Sequence, residues 1–194
     1  MAYYYKGAKI LAPISITSNE PVYDVDTVSL SKQRATQGAQ RWELSFSTIT
    51  SGDTEAEMLV GVVEGISNAS TMVMPQLPSV DRVNTIGTSR PISAASAGAS
   101  TVNVNSDGFT SKGTFVKFSN HAKVYMVTED HSAGVSPMAI YPPLRSAVTG
   151  TDTLITGPAV SIRYYREVSN LRGLTYTDGI LSSTGTINLV EALL

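Results

Sequence analysis

The chain has 194 residues, which suits one large domain or two small ones with a proper apolar core. Apolar residues make up 42% of it and charged residues only 15%, against a usual charged fraction of about 25%, which favours a subunit covered by other subunits over a lone monomer. The net charge of −2 provides no basic field for nucleic acid, and the lack of cysteine excludes disulfides and cysteine-ligated metals.

The N-terminal segment is aromatic and lacks the charged and apolar regions of a signal peptide. Tyr3, Tyr4 and Tyr5 predict a first strand or an arm packed on a neighbour, and they are candidate interface residues because tyrosine is enriched at interfaces. Ile10 to Ile16, broken by Pro13, predicts an extended edge segment. No stretch approaches the ~18 apolar residues of a membrane helix, so we expect a soluble protein made in the cytoplasm, without a membrane partner.

Two further strands are predicted between this N-terminal segment and the first helix. Val22 to Leu30 alternates moderately and is followed by a polar loop over Ser31 to Ala39. Ala39 to Ile49 alternates cleanly, and its apolar positions predict three core residues: Trp42, Leu44 and Phe46.

One amphipathic helix is predicted over residues 53–66. Thr54 and Glu57 form a capping-box pattern at its start. Apolar residues at i, i+3, i+4 and i+7 form a stripe that we expect to face the core: Leu59, Val62, Val63 and Ile66. Gly61 and Gly65, four residues apart, would also let a sheet or another subunit approach closely.

Short strands separated by Gly, Asp and Ser turns predict an inserted, small β-barrel-like subdomain over residues 82–157. The expected strands are Thr101–Val104, Thr114–Phe118, Lys123–Thr128, Pro137–Tyr141 and Leu154–Thr156. Residues 1–81 and 158–194 would form a β-sandwich or barrel domain with the helix, completed by strands at Val160–Tyr165, Gly173–Tyr176 and Thr186–Val190. The predicted fold class is therefore mainly β.

The two strands around residue 120 form the clearest pair. They are joined by a polar link of hairpin size, Ser119 to Ala122. Alternation places Val124 and Met126 on one face of the second strand, and Phe115 lies in the first strand, so these three are candidate core residues.

Three segments of the chain resemble virion proteins of tailed bacteriophages. They are GTFVKFSNHAKVYMVTED at 113–130, IYPPLRSAV at 140–148 and GAQRWELSF at 38–46. The first two resemble a strand pair "G-(D/T)-(F/Y)-(V/I)-K-F-x-x-H-x-K-V-Y-x-V" followed by "(I/L)-x-P-P-L-R", and the third resembles "G-x-Q-R-W-E-x-x-(F/V)". In this family the residues just before the last motif are often more basic than residues 32–37 of this chain, which contain two basic side chains.

The resemblance implies a structural component of the phage tail or baseplate, similar to ring-forming distal tail proteins. Such a protein would sit in the virion tail as a homo-oligomeric ring, six- or twelve-fold, in contact with other tail or baseplate proteins. Strand edges would supply contacts. The alternative is a carbohydrate-binding β module that touches the host surface, for which the candidate aromatic residues are Tyr3–Tyr5, Tyr141, Tyr164 and Tyr165.

No catalytic, cofactor or metal site is predicted. His121 and His131 have carboxylates nearby but no metal-binding spacing, and a strand between them would keep them apart. No GxSxG motif marks a serine hydrolase, and the acids fall mostly in turns or on solvent faces, so we expect no enzyme. Arg145, after Pro142-Pro143-Leu144, is a candidate clamp for buried backbone groups, an inter-subunit ion-pair donor or a surface arginine.

Overall fold

The computed structural model describes residues 3–26, 32–36, 38–49, 54–76, 90–91, 93–106, 108–167, 175–177, 180–183 and 185–193. Within these ranges the chain is mainly β with one α-helix, which confirms the predicted fold class. None of the helical structure in these ranges is long and apolar enough to cross a membrane.

The described part of the chain contains sixteen strands and one α-helix. In order they are β1 (Tyr4–Tyr5), β2 (Ala8–Asn19), β3 (Val22–Asp26), β4 (Lys32–Thr36), β5 (Arg41–Thr48), α1 (Glu55–Val63), β6 (Ser70–Val73), β7 (Arg90–Pro91), β8 (Thr101–Ser106), β9 (Phe115–Phe118), β10 (Val124–Val127), β11 (Gly134–Tyr141), β12 (Leu154–Thr156), β13 (Ser161–Arg166), β14 (Thr175–Thr177), β15 (Ile180–Ser183) and β16 (Ile187–Glu191).

Two six-stranded antiparallel sheets form the body of the described chain. The first has the order β1-β2-β5-β16-β13-β6 and the second the order β12-β9-β10-β11-β8-β7. Every strand of the second sheet comes from residues 90–156, between β6 and β13 of the first. The chain therefore passes from the first sheet to the second after β6 and is back in the first sheet at β13, while the predicted subdomain boundaries at 82 and 157 stay a prediction.

A two-stranded hairpin stands apart from both sheets. β3 pairs with β4 in register, with Asp24 opposite Arg34. The prediction of a polar loop over Ser31 to Ala39 is therefore wrong. The sequence of β4 shows no apolar alternation. Its strand is instead paired with β3, and Arg34 bonds to Asp24 across the pair.

The predicted strand at Ala39 to Ile49 is confirmed as β5, and its inward face is buried as expected. Trp42, Leu44 and Phe46 are all at most 3% exposed. They pack in an apolar core between the first sheet and α1 that also contains Tyr5, Met58 and Tyr164.

Strands β9 and β10 contribute to two cores at once. Their alternate side chains Phe115 and Val124, with the partly buried Met126, pack with the core of the first sheet. The intervening side chains pack into a second core, inside the second sheet: Val116, Phe118, Tyr125 and Val127. The predicted alternation is confirmed, and both faces of this strand pair are buried.

Helix α1 packs on a different face from the one predicted. Leu59 is 51% exposed and Ile66 only half-buried, so the expected stripe does not face the core; the side chain of Val62 lies outside the described residues. Met58 and Gly61 are buried instead. Thr54 occupies the N-cap position but makes no capping hydrogen bond through its side chain.

The small residues of the helix explain this orientation. Gly61 lies against Lys6 and Tyr5, and its carbonyl accepts hydrogen bonds from the Tyr5 hydroxyl at 3.5 Å and from Arg166 Nη1 at 3.1 Å. Gly65 follows the helix against the ring of Tyr164. The sheet therefore packs closely against these two glycines and not against the predicted apolar stripe.

Candidate functional site: a buried junction and two exposed surfaces

A buried polar network joins the two sheets. Lys123 precedes β10 and Glu191 ends β16, and each is 3% exposed. Their side chains form an ion pair, and Lys123 Nζ also donates to Gln40 Oε1 at 2.6 Å. Glu191 accepts hydrogen bonds from the backbone N–H groups of Trp42, at 3.1 Å, and Val124, at 2.9 Å. We call Gln40, Trp42, Lys123, Val124 and Glu191 the junction.

The charges of the junction depend on each other. Burial lowers the pKa of Lys123, because desolvation disfavours its ammonium form, while the neighbouring Glu191 carboxylate acts in the opposite direction. A buried ion pair is tolerated when additional hydrogen bonds satisfy its remaining polar atoms, as they do here. Loss of either partner would leave an uncompensated charge between the sheets.

Two side chains from the first sheet region bond to backbone groups of the second sheet. Trp42 Nε1 donates to the Val124 carbonyl at 2.9 Å, and its ring meets Phe115 edge-on with centroids 5.2 Å apart. The Gln76 amide accepts from Phe115 N at 3.0 Å and donates to Phe115 O at 3.2 Å, as a neighbouring strand would. The first sheet is thereby held to β9 and β10.

A second polar cluster lies in the turn between β9 and β10. His121 Nδ1 is 2.6 Å from Asn120 Oδ1, and His121 Nε2 is 2.7 Å from the Tyr125 hydroxyl. The tautomer that satisfies both contacts donates from Nδ1–H and accepts at Nε2 from the Tyr125 O–H. The Tyr125 oxygen in turn accepts from Arg145 N at 3.0 Å.

Burial favours the neutral forms of both titratable side chains in this cluster. Tyr125 is fully buried, and burial raises the pKa of its hydroxyl to about 12, so it stays protonated at neutral pH. Burial also lowers the pKa of His121, which favours the neutral ring. The three groups clamp the β9–β10 turn to the segment that follows Pro143.

The hairpin of β3 and β4 is amphipathic and exposed on both faces. One face has the charged cross-strand pairs Asp24–Arg34 and Asp26–Lys32, the first of them bidentate at 2.8 and 3.1 Å. The other face carries no charge and consists of Tyr23, Val25, Gln33 and Ala35, all exposed. We call these four residues the hairpin face; Tyr23 and Val25 are each 61% exposed.

The outer side of α1 is also apolar. Ala56, Leu59 and Val60 fall at i, i+3 and i+4 on one face, and all three are exposed. We call them the helix patch. Beside it lies an open depression of about 360 Å³ lined by Lys6, Ala56, Glu57, Val60 and Glu64. Lys6 and Glu64 form an ion pair at its rim, which lowers the pKa of Glu64.

The predicted interface residues have different environments. Tyr5 is 1% exposed and packs edge-on against Phe46 in the core, so its predicted interface role is wrong. Tyr3 is half-buried, and its hydroxyl bonds to both backbone groups of Gln76. Tyr4 is 58% exposed and Arg145 is also exposed, so both residues are accessible to a partner.

The aromatic residues considered for carbohydrate do not form one platform. Tyr164 is fully buried, like Tyr5, and its hydroxyl donates to that of Tyr5 at 3.3 Å. Tyr141 is partly buried against Trp42 and donates to Glu20 Oε2 at 2.8 Å.

The two histidines lie at opposite ends of β10. His131 is buried and forms a β-bridge with Thr110, away from the His121 cluster. Within the part of the chain that the structure describes, no group of three or more histidine, aspartate or glutamate side chains could hold a metal ion.

Sequence reasoning missed Gln40 and Glu191 as functional partners. Gln40 looks like a loop residue, and Glu191 follows an apolar strand 68 positions after Lys123. The available signal was a lysine within a strand predicted to be buried, since a buried ammonium needs an acidic partner.

The three segments that carry the phage resemblance meet at these two clusters. Gln40 and Trp42 contact Lys123 and Val124 in the junction, and the Tyr125 hydroxyl binds the segment around Arg145. Compared with known proteins, the chain matches no protein-family model and no curated protein.

Proposed function

We propose that this protein is a non-enzymatic structural subunit of a tailed-phage virion. It would form a ring at the tail tip, the baseplate or the junction with the tail tube, through contacts made by its β-rich surfaces. The ring would hold six or twelve copies and contact other tail proteins.

The interlocking of the three phage-like segments supports this proposal. Hydrogen bonds connect all three segments: Trp42 donates to the Val124 carbonyl, Lys123 donates to Gln40, and the Tyr125 hydroxyl accepts from the backbone N–H of Arg145. Residues of this kind serve rigidity rather than turnover.

The exposed surfaces supply the second line of support. The hairpin face is uncharged, the helix patch is apolar, and both are accessible in the same chain. A two-stranded hairpin with both faces in water is marginally stable on its own, so a partner that covers its uncharged face would stabilise it.

The mass of the purified native protein tests the proposal. Mass photometry should find particles of six or twelve times the 20.6 kDa chain, and negative-stain images should show rings. Counting copies in purified virions by quantitative mass spectrometry should give the same multiple. A monomer at all concentrations, absent from virions, would refute the proposal, and a monomer that binds glycans would favour the carbohydrate-binding alternative.

A further inference from the structure

We propose that Ser18, Glu20 and Tyr141 form a latch that fastens the β3–β4 hairpin to the second sheet. The hairpin would then take its orientation from the second sheet as well as from the first, from which it extends. We call these three residues the latch. The contact lies within one chain, so it is independent of the proposed ring.

Strand pairing does not continue from the first sheet into the hairpin. The ladder between β2 and β5 ends at Asn19 opposite Arg41, and the ladder between β3 and β4 begins at Val22 opposite Thr36. Residues 20–21 and 38–40 belong to neither ladder. The described residues of β3 and β4 also take no part in either apolar core. Side-chain contacts at the base of the hairpin are therefore placed to set its direction.

The first connection of the hairpin is tied to the second sheet by Tyr141. Glu20 lies between β2 and β3, and its Oε2 accepts a hydrogen bond from the Tyr141 hydroxyl at 2.8 Å. Hydrogen bonds to a carboxylate are stronger than those between neutral groups. Tyr141 ends β11, and its ring lies edge-on to Trp42 with centroids 6.2 Å apart. This packing holds the hydroxyl in place for Glu20.

The second connection of the hairpin is tied to the second sheet by Lys123. Gln40 lies between β4 and β5 and is 3% exposed. Its Oε1 accepts from Lys123 Nζ at 2.6 Å, and its Nε2 donates to Ser18 Oγ at 2.9 Å. Ser18 Oγ lies 3.0 Å from the Tyr141 hydroxyl oxygen. Both connections are thus attached to the second sheet, and Ser18 links the two attachments.

These hydrogen bonds run in one direction, from the junction towards the surface. An ammonium group can only donate and a carboxylate can only accept, which fixes the two ends of the series at Lys123 and Glu20. Because Tyr141 donates its proton to Glu20, its oxygen accepts from the Ser18 hydroxyl. Bonds arranged in such a series polarise and strengthen one another. The latch is therefore the outer end of the network that begins at the junction.

Distances between spin labels test the latch without background labelling, because the native chain contains no cysteine. Ala35→Cys places one label on the exposed hairpin, and Ala147→Cys places the other on an exposed segment after β11. Labelled chains are diluted into unlabelled protein, so that pulsed electron–electron double resonance measures distances within one chain. Tyr141→Phe keeps the ring and removes the hydroxyl, and it should widen the 35–147 distance distribution about twofold.

A double variant checks that the widening comes from the proposed bond. Glu20→Ala should widen the 35–147 distribution by a similar factor to Tyr141→Phe. The two changes together should widen it no further, because each removes the same hydrogen bond. Additive widening would show that the two side chains act separately and would overturn the latch.

Two matched controls separate a released hairpin from a loosened molecule. Labels at Ala56→Cys and Ala147→Cys report on the body of the chain, and their distance distribution should not change in Tyr141→Phe. Tyr3→Phe removes a hydroxyl that is bonded to Gln76, away from the hairpin, and should leave the 35–147 distribution unchanged. An unchanged 35–147 distribution in Tyr141→Phe, or equal widening of both label pairs, would overturn the proposal.

Discussion

Single residues decide how the two sheets are joined. Lys123 and Glu191 bring opposite charges into a site that excludes water, and Trp42 and Val124 supply the hydrogen bonds that complete it. Such a pair adds little net stability over an apolar replacement, but it is costly to break on one side. Its contribution is to select one arrangement of the sheets.

We expect Lys123→Met to lower the free energy of unfolding by about 3–5 kcal/mol, because it leaves the Glu191 carboxylate buried and unpaired. Adding Glu191→Gln should restore part of that loss, with a coupling energy above about 1 kcal/mol in a double-mutant cycle measured by urea unfolding. The bidentate but exposed Asp24–Arg34 pair is the control and should show a much smaller coupling. Additive effects at Lys123 and Glu191 would contradict the assignment.

The His121 cluster predicts a loss of stability in mild acid. The folded-state pKa of His121 lies below its ordinary value of 6.5, chiefly because of burial, with Lys117 and Arg145 acting in the same direction and Asp152 against it. The unfolded chain therefore binds the proton first. The stabilisation from the neutral ring is complete above pH 6.5 and is lost as the pH falls through the folded-state pKa.

Urea unfolding at pH 7.5 and pH 5.0 measures this effect. The native protein should lose more stability between the two pH values than the His121→Gln variant, in which this titration is absent. The difference between the two proteins removes the contributions of all titratable groups that both proteins contain. Equal losses in both proteins would show that His121 does not respond to pH in this range.

Among the elements, α1 depends on close approach rather than on an apolar stripe. Gly65 has a φ of +81°, and a Cβ there would lie 3.0 Å from Tyr164 Cε2 and 3.2 Å from Arg166 N. Gly98 has a similar φ of +88° but open space around it. The two glycines therefore separate backbone strain from steric contact.

We expect Gly98→Ala to cost about 1–2 kcal/mol from the left-handed backbone alone. Gly65→Ala should cost at least about 1 kcal/mol more, because the new methyl group pushes against the Tyr164 ring and the β13 backbone. Thermal unfolding of the two variants compares these costs. Equal shifts in melting temperature would indicate that the sheet can move away from Gly65 freely.

Local patterns in the sequence were sufficient to predict most strands of the two sheets. Alternation in β5, β9 and β10 predicted which side chains share a face, because period-two burial is set within each strand. The helix face was not predictable in this way, since Gly61 and Gly65 carry no apolar side chain. β4 was missed because its pairing depends on Asp24 and Arg34 rather than on burial, and the junction was missed because Gln40, Lys123 and Glu191 are distant in sequence.

At the scale of the molecule, the shared strand pair predicts that both sheets unfold together. β9 and β10 supply Phe115 and Val124 to one core and Val116 and Tyr125 to the other, so neither core survives without them. The single tryptophan, Trp42, lies where the two meet and reports on that boundary. Small cooperative units lose all structural signals in one transition.

Guanidinium unfolding should therefore give superimposable curves by tryptophan emission and by far-UV circular dichroism. An emission change at lower denaturant, with the β signal still present, would instead mean that the residue 90–156 sheet separates first and folds independently. The Lys123→Met variant is the informative comparison, because in a single cooperative transition a weakened junction should shift the emission and dichroism curves to lower denaturant by the same amount.

The way the chain leaves the first sheet and comes back has an evolutionary consequence. β6 and β13 are direct neighbours, and the Met74 N–H bonds to the Val160 carbonyl at 2.8 Å, so the two ends of the intervening segment lie side by side. A segment with adjoining ends can be lengthened, shortened or exchanged between relatives without changing the ladder that carries it. A transplanted replacement would need an apolar side chain against the indole of Trp42, a cation for the carboxylate of Glu191 and backbone groups for the amide of Gln76.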